Sequence, residues 1–283
     1  MILFKRAAEL RNYPEKQRKK GKKTGFAPTM GALHEGHIPL LEASKKENDL
    51  SVVSIFVNPT QFNDPADYAK YPITIEKDIS LLEAAGCDIL FLPPVEEMYP
   101  SGQMLKKKYE LGYLETLLEG SFRPGHFQGV CQIVHRLLEI VLPDNLYMGQ
   151  KDYQQCMVVK KLLELTGLGQ TVHLQISPTL REKSGLAMSS RNMRLSEAER
   201  NAAVAIYQAL DHIRENLKPG SLKELQQQAT AQLTGKGFRV DYVAIADAGT
   251  LYPAEDWDGR QKLVALAAAF LGEVRLIDNL LLN

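Results

Sequence analysis

Short apolar runs alternate with helical patterns through the first two-thirds of this 283-residue chain, and this alternation limits the fold more than any other feature. In chain order we predict strands at 24–28, 50–57, 88–92 and 172–176, and helices at 75–85, 130–142 and 153–165. Strands joined through helices form right-handed crossovers, so the strands lie parallel and helices cover both faces of the sheet. The sequence therefore predicts an α/β fold with a Rossmann-like parallel sheet.

The pattern changes near Ser177. Two helical stretches follow, at 196–217 and 221–233, and each opens with a serine that has a glutamate three residues later, the signature of a helix cap. Strand-like runs then occupy 239–246, 262–270 and 273–282. We therefore expect a Rossmann-like domain at 1–176 and a smaller C-terminal α+β domain at 177–283 that closes over the first domain's site.

The charge balance argues against nucleic-acid and membrane partners. The chain has 34 basic and 34 acidic residues, so it carries no net field that would attract a polyanion. One stretch, 5–23, holds nine basic residues against Glu9 and Glu15. Such runs usually form a solvated surface, which is the favoured interpretation, and an RNA-binding arm is the minority one.

Cysteine usage and hydropathy bear on the compartment. Three widely spaced cysteines, Cys87, Cys131 and Cys156, lie in apolar or helical surroundings, as free thiols do in a reducing environment. The sequence has neither a signal-peptide pattern nor an apolar run of transmembrane length. We expect a soluble, cytoplasmic protein.

The loop at 28–37, with sequence PTMGALHEGH, lies between the first predicted strand and an amphipathic helical pattern. Ligands of open parallel sheets bind at the carboxyl ends of strands, and a helix start supplies free N–H groups that suit phosphate. His34 and His37 can point at one anion, and Gly31 and Gly36 allow the backbone to approach it. We interpret this loop as a site that holds a nucleoside triphosphate and acts on its α-phosphate.

Three other interpretations of this loop remain open. The two histidines can be metal ligands, although a zinc-protease helix spaces its histidines four apart and no cysteine or carboxylate cluster lies nearby. A surface loop with incidental histidines is a second alternative. A dinucleotide-binding turn is the third, but the loop lacks the G-x-G-x-x-G spacing.

Further donor-rich segments follow other predicted strands. Asn58 and Gln61 end the second strand, beside the first loop, where they can bind a small polar substrate; an Asn-Pro turn without a ligand is the alternative. The turn at 149–155 places Lys151 near a phosphate and Gln155 one helical turn further on, although a capped helix start explains it too.

Two more segments contain glycine and hydrogen-bond donors. The segment 123–129 precedes a long apolar helix and is either a mobile flap or a helix lead-in. Arg181 and the segment 185–192 bring hydroxyl groups and a guanidinium to the domain junction, where they can close over β- and γ-phosphates. Taken together, these segments indicate an ATP site beside a small-molecule site.

These motifs, in this order and spacing, closely resemble the pantothenate synthetase (pantoate–β-alanine ligase) family of the H-x-G-H nucleotidylyltransferase superfamily, over nearly the whole chain. The resemblance implies condensation of (R)-pantoate with β-alanine through a pantoyl adenylate, with release of AMP and pyrophosphate. It implies ATP with Mg²⁺ as co-substrate, no tightly bound organic cofactor, small-molecule partners and a homodimer.

The resemblance also implies roles for individual residues. His34, His37, Lys151 and Arg191 would be catalytic, with His37 as proton donor, and Gln61 and Gln155 would bind pantoate. Asp78 would be an outer-shell carboxylate for the metal. The ATP-binding residues would be Met30, Gly31, Ala32, Leu33, His34, Glu35, Gly36, His37, Gly149, Gln150, Lys151, Asp152, Leu180, Met188, Ser189, Ser190 and Arg191.

Two rival functions remain at this point. A true nucleotidylyltransferase would keep the adenylyl group on its product, and free AMP among the products would exclude it. A non-catalytic nucleotide-binding regulator is the second rival, against which the intact set of His34, His37, Lys151 and Arg191 argues.

Overall fold

A computed structural model of the protein describes residues 1–63, 65–100 and 107–283. Its main feature is a six-stranded sheet in which every neighbouring pair is parallel, in the order β1-β4-β3-β2-β5-β6. The strands are β1 (Ile2–Phe4), β2 (Thr24–Thr29), β3 (Leu50–Ile55), β4 (Ile89–Phe91), β5 (Asn145–Gly149) and β6 (His173–Ser177). The predicted α/β class is confirmed.

Successive strand residues point to opposite sides of this sheet, and both sides are apolar, so helices cover both faces. Phe26 packs in one apolar cluster with helices on one face, while its neighbour Ala27 joins a second cluster on the other face. The helices of this part are α1 (Ala7–Arg18), α2 (Ile38–Glu47), α3 (Pro65–Ala69), α4 (Ile75–Ala84), α5 (Val95–Met98), α6 (Glu119–Phe122), α7 (His126–Val141) and α8 (Tyr153–Thr166).

The strand order creates one crevice. After β2 the chain moves to β3 on one side, and after β5 it moves to β6 on the other side. Where the crossover direction reverses, the loops at the carboxyl ends of the two central strands diverge and leave room for a ligand. The loops after β2 and β5 therefore define the place where a substrate can bind.

The C-terminal part forms a second layer. Its three-stranded antiparallel sheet has β10 (Leu263–Leu271) between β11 (Val274–Leu281) and β8 (Arg239–Asp247). Two helices, α10 (Ala205–Glu215) and α11 (Lys223–Gly235), pack on one face of it through residues such as Leu210, Leu233 and Ala265. The opposite face contributes Val264 and Leu266 to the core of the large sheet. The elements are α9 (Glu197–Ala203), α10 (Ala205–Glu215), β7 (Gly220–Ser221), α11 (Lys223–Gly235), β8 (Arg239–Asp247), β9 (Asp256–Trp257), β10 (Leu263–Leu271) and β11 (Val274–Leu281).

Several local predictions were wrong. The helix predicted at 196–217 is two helices that meet at Val204, although the cap between Ser196 and Glu199 is present. The cap predicted at Ser221 is not formed, because Ser221 pairs in β7 and Leu222 precedes the helix.

The glycine-rich stretch 112–129, interpreted as a loop, contains α6 and the start of α7, and Gly125 supplies the left-handed turn between them at φ +79°. The basic stretch 5–23 contains α1, and its lysines and arginines are exposed, as predicted for a solvated face. Within the described ranges, every helix is too short or too polar to cross a bilayer.

Candidate active site

The loop after β2 is held in an uncommon backbone conformation. Gly31 has φ +78° and Ala32 has φ +48°, both in the left-handed region. The buried carboxylate of Asp78 accepts the N–H groups of Ala32 at 2.9 Å and Leu33 at 2.8 Å, and also the Thr74 hydroxyl at 2.8 Å. Asp78, predicted as an outer-shell metal carboxylate, therefore has its oxygens committed to this loop.

The two histidines of the loop face each other, with ring centroids 4.1 Å apart. Nδ1 of His34 accepts the Gly36 N–H at 3.1 Å, and Nδ1 of His37 accepts the His34 N–H at 3.3 Å. Because both Nδ1 atoms are acceptors, the proton of each neutral ring lies on Nε2. Each ring thus keeps one N–H donor for an anion.

Burial keeps both rings neutral at pH 7. Desolvation, with His37 and Lys151 adding repulsion, lowers the pKa of His34 to about 3. Desolvation likewise lowers the pKa of His37 to about 4. A bound triphosphate would favour the charged forms and raise both pKa values. Protonation would also require Nδ1 of each ring to give up the backbone N–H that it accepts, so the neutral Nε2–H donors are the form that first meets an anion.

The loop after β3 forms the second wall. Oε1 of Gln61 accepts from Asn58 Nδ2 at 3.1 Å, and its Nε2 lies 2.8 Å from the sulfur of Met30. The Gln61 carbonyl accepts from Nδ1 of His126 at 2.7 Å, while Nε2 of His126 accepts from Arg123 at 3.1 Å. The 123–129 segment, left open as flap or lead-in, is thus bonded to the wall that carries Gln61.

The turn after β5 carries Lys151, and the last strand holds it in place. Nδ2 of Asn279, on β11, donates to the carbonyls of Gln150 at 2.9 Å and Lys151 at 2.8 Å. The Gln150 side chain donates back to Asn279 at 3.3 Å. The Lys151 ammonium lies 3.7 Å from Asp152, so its charge is not tightly paired and remains accessible to an anion.

The fourth wall follows β6. Arg181 donates two hydrogen bonds to the buried carboxylate of Asp278, at 2.6 and 3.1 Å. Ser189 caps a 3₁₀ turn at Ser190–Arg194 by accepting the Arg191 N–H. The carbonyl of Leu180 accepts the Met188 N–H at 3.1 Å, which closes the segment 181–187 into a hairpin. Ser189, Ser190 and Arg191 line the crevice from this side, whereas the Arg181 guanidinium is bound to Asp278 and lies outside the lining.

These four walls enclose a cavity of about 220 Å³. Of the predicted site residues, those that line it are Met30, His34, Gly36, His37, Gln61, Gly149, Lys151, Asp152, Gln155, Leu180, Met188, Ser189, Ser190 and Arg191. Gly31, Ala32, Leu33, Glu35 and Gln150 lie outside its lining, and Leu33 packs in the core. A second cavity of about 540 Å³, between the two parts of the chain, shares Lys151 and Arg191 with it.

Sequence reasoning missed the residues that support these walls. Asp278 and Asn279 are buried polar residues in a strand that otherwise alternates through Leu276 and Leu280, and this interruption was the available signal. Asp67, on α3, accepts from Arg191 and Arg194. No pattern in the sequence singled out Asp67.

We expect the buried histidines to make the protein less stable in acid. Burial lowers the pKa of His126 to about 3, as it does for His34, whereas an unfolded histidine titrates near 6.5. Below pH 6.5 the unfolded state therefore binds more protons than the folded state, and each such histidine costs up to about 1.4 kcal/mol per pH unit. Urea unfolding at pH 7.0, 6.0 and 5.0 measures this slope.

The same series in His126→Gln should give a shallower slope, because one buried imidazole has been removed. His173→Gln is the matched control, since His173 is exposed at the start of β6. An unchanged slope in His126→Gln would contradict the role given to burial.

The fold and the cavity define a class: a nucleotide-binding α/β enzyme. Hydrogen-bond donors suited to phosphate and amide side chains line one pocket, at the point where the crossover direction of the parallel sheet reverses. The family model for pantoate-beta-alanine ligase matches residues 2–281. The chain is 42% identical over 289 residues to the pantothenate synthetase of Cytophaga hutchinsonii, covering 100% of this chain and 99% of that protein. It therefore belongs to the pantoate–β-alanine ligase family, and it is a ligase.

Solved structures agree. The pantothenate synthetase of Thermus thermophilus superposes with a TM-score of 0.89 at 43% identity, covering 99% of each chain. The pantoate-beta-alanine ligase of Francisella tularensis, complexed with beta-gamma ATP and beta-alanine, has a TM-score of 0.80 at 37% identity and covers 99% of this chain and 97% of that one. The family resemblance and the predicted fold class are both confirmed.

Proposed function

We propose that this chain joins (R)-pantoate to β-alanine with ATP, in two steps. In the first step, a carboxylate oxygen of pantoate attacks the α-phosphorus, the bond to the β-phosphate oxygen breaks, and pyrophosphate leaves. In the second step, the amine of β-alanine attacks the acyl carbon of the pantoyl adenylate, AMP leaves with the bonding electron pair, and the nitrogen loses a proton. The observation that carries this proposal is that histidine, lysine and arginine donors line one cavity with Gln61 and Gln155.

The residue roles follow from charge and reach. We propose that Nε2–H of His34 and of His37 donate to phosphate oxygens, that His37 supplies a proton as charge develops, and that Lys151 and Arg191 stabilise the departing pyrophosphate. Preorganised donors of this kind act on the charge that forms in the transition state. Gln61 and Gln155 hold pantoate with its carboxylate toward the α-phosphate, and the predicted ATP-binding segments at 30–37, 149–152, 180 and 188–191 hold the nucleotide.

We propose that Mg²⁺ enters as a partner of the triphosphate. Within the described ranges no three or more His, Cys, Asp or Glu side chains group into a metal site. A bound cation would therefore take its ligands chiefly from phosphate oxygens and water, as is common for Mg²⁺ on nucleotides. When bound, it would neutralise charge on the leaving pyrophosphate. An outer-shell role for Asp78 stays a prediction.

Three further expectations are part of the proposal. The C-terminal part, residues 177–283, closes over the ATP site of residues 1–176. The chain functions in the cytoplasm with small molecules as its partners. It forms a homodimer, which light scattering of the eluted protein would check by giving twice the 31.7 kDa chain mass.

Isotope exchange tests the adenylate step by itself. With pantoate present and β-alanine absent, we expect labelled pyrophosphate to enter ATP, because the first step is reversible when no amine removes the adenylate. Omitting pantoate is the control and should abolish exchange. If exchange is absent although pantothenate forms in the complete reaction, the two-step mechanism is wrong. Release of free AMP in the complete reaction excludes a nucleotidylyltransferase.

A further inference from the structure

Asp67, on α3, bonds to the Ser190–Arg194 turn, which carries hydrogen-bond donors suited to phosphate. Its Oδ2 accepts from Nη2 of Arg191 at 2.9 Å, and its Oδ1 accepts from Nη1 of Arg194 at 2.9 Å. The two arginines lie three residues apart on the Ser190–Arg194 turn. One carboxylate therefore clamps two points of that turn to the element that follows β3.

The clamp leaves most of Arg191 available. A guanidinium has five N–H donors, and the bond to Asp67 uses one of them. Arg191 lines the cavity of about 220 Å³ that also holds His34 and His37, whereas Arg194 does not. Near the clamp, the Tyr71 hydroxyl lies 3.4 Å from the Ser190 hydroxyl. The carboxylate can thus hold one edge of the Arg191 guanidinium while the rest faces the cavity.

We propose that Asp67 is a positioning residue that aims Arg191 and its turn at the two outer phosphates of ATP and at pyrophosphate. The proposal rests on the phosphate-binding role proposed for Arg191. Asp67 itself need not touch the nucleotide: it acts through the two arginines that it clamps.

The negative charge of Asp67 has two opposing effects. Burial by itself would raise the pKa of Asp67, but Arg191 and Arg194 outweigh burial and hold that pKa below its usual value. The ionised carboxylate repels phosphate, yet it also cancels repulsion between two guanidinium groups and fixes a long, flexible side chain. We expect the orientation of Arg191 to matter more than the repulsion of phosphate, because catalysis depends on where the donor points when charge develops.

Product inhibition separates orientation from general damage. In Asp67→Ala we expect the inhibition constant of pyrophosphate to rise about 10-fold, as for loss of a charge-assisted hydrogen bond, and kcat of exchange to fall. The inhibition constant of AMP should be unchanged, because AMP lacks both outer phosphates. Asp67→Asn should lie between Asp67→Ala and the wild type, since its one amide oxygen can still accept from Arg191.

Glu273→Gln is the matched control. It removes a second ion pair near the end of α3, Lys70 to Glu273 at 3.3 Å, which is exposed. Glu273 lies between β10 and β11, outside the Ser190–Arg194 turn. Its pyrophosphate and AMP constants should both equal those of the wild type. If Asp67→Ala raises both constants equally, the effect is general damage and the positioning role is wrong.

Two more variants complete the test. Arg194→Ala should have a smaller effect than Asp67→Ala, because it leaves the bond from Arg191 to Asp67 in place. The double variant should be no worse than Asp67→Ala, because removal of Asp67 already breaks both bonds of the clamp. If Arg191→Ala is impaired but Asp67→Ala binds pyrophosphate normally or more tightly, the positioning role is wrong and the proposed function stands. If Arg191→Ala itself behaves as the wild type, the proposed phosphate role of Arg191 fails, and the positioning role fails with it.

Discussion

Lys151→Ala should lower the rate of adenylate formation by about 10²–10³, the usual cost of removing one preorganised donor that stabilises developing charge. The ammonium group stands at the carboxyl end of β5, where the crossover direction reverses, and among the described residues no carboxylate pairs tightly with it. Pyrophosphate exchange in the presence of pantoate measures this step directly. Single-turnover formation of the adenylate gives the same quantity without product release.

Lys161→Ala provides the control for this loss. Lys161 lies on α8 after Lys151, pairs with Glu164 at 3.2 Å and has a side chain that is 41% exposed, so its removal changes net charge by the same amount away from the cavity. We expect near-normal exchange from it. A Lys151→Ala enzyme with near-normal single-turnover rates would refute the role of the ammonium group.

A glutamine at position 151 sharpens the comparison, because it keeps much of the length and a hydrogen-bond donor but carries no charge. If the charge is what stabilises the leaving pyrophosphate, Lys151→Gln should be impaired nearly as much as Lys151→Ala. The turn itself should be intact in both variants, since Asn279 holds the carbonyl of residue 151 rather than its side chain.

The position of the crevice could be predicted from the sequence because it depends only on which strands are parallel neighbours. Once β2, β3 and β5 are parallel neighbours, their carboxyl ends share one edge, so His34, Gln61 and Lys151 must converge. Neither the exact register nor any contact was needed for that inference. The periodicity of apolar residues was sufficient.

The supports of the site could not be predicted in the same way. Asp78 bonds Ala32 across 46 positions of the chain, and Asn279 bonds Lys151 across 128, so neither pairing leaves a local pattern. The break at Val204 likewise leaves no signal in the sequence, because an apolar stripe runs through both helices that meet there. Local propensity predicts which segments are helices or strands, but which polar side chains meet is decided by tertiary packing.

Arg275→Met should destabilise the protein by about 3–5 kcal/mol, the usual cost of removing one partner from a buried ion network. Arg275, on β11, donates to both oxygens of Glu119 at 2.8 Å and to Asp241 at 2.8 Å. Both carboxylates are nearly inaccessible, with side-chain exposures of 9% and 7%. Without the guanidinium, two carboxylates would remain buried together.

The effect should be concentrated where the two parts of the chain meet, because Glu119 belongs to α6 and Arg275 to the C-terminal sheet. Urea unfolding followed by circular dichroism reports the whole fold, and the fluorescence of Trp257, the single tryptophan, reports the C-terminal part. Arg275→Lys should lose less than Arg275→Met, since lysine keeps the charge but not the forked geometry. Arg200→Met is the control: Arg200 is 51% exposed and pairs with Glu182, so we expect a change within about 1 kcal/mol. Equal stability of the Arg275→Met and Arg200→Met proteins would mean that the buried network does not hold the two parts together.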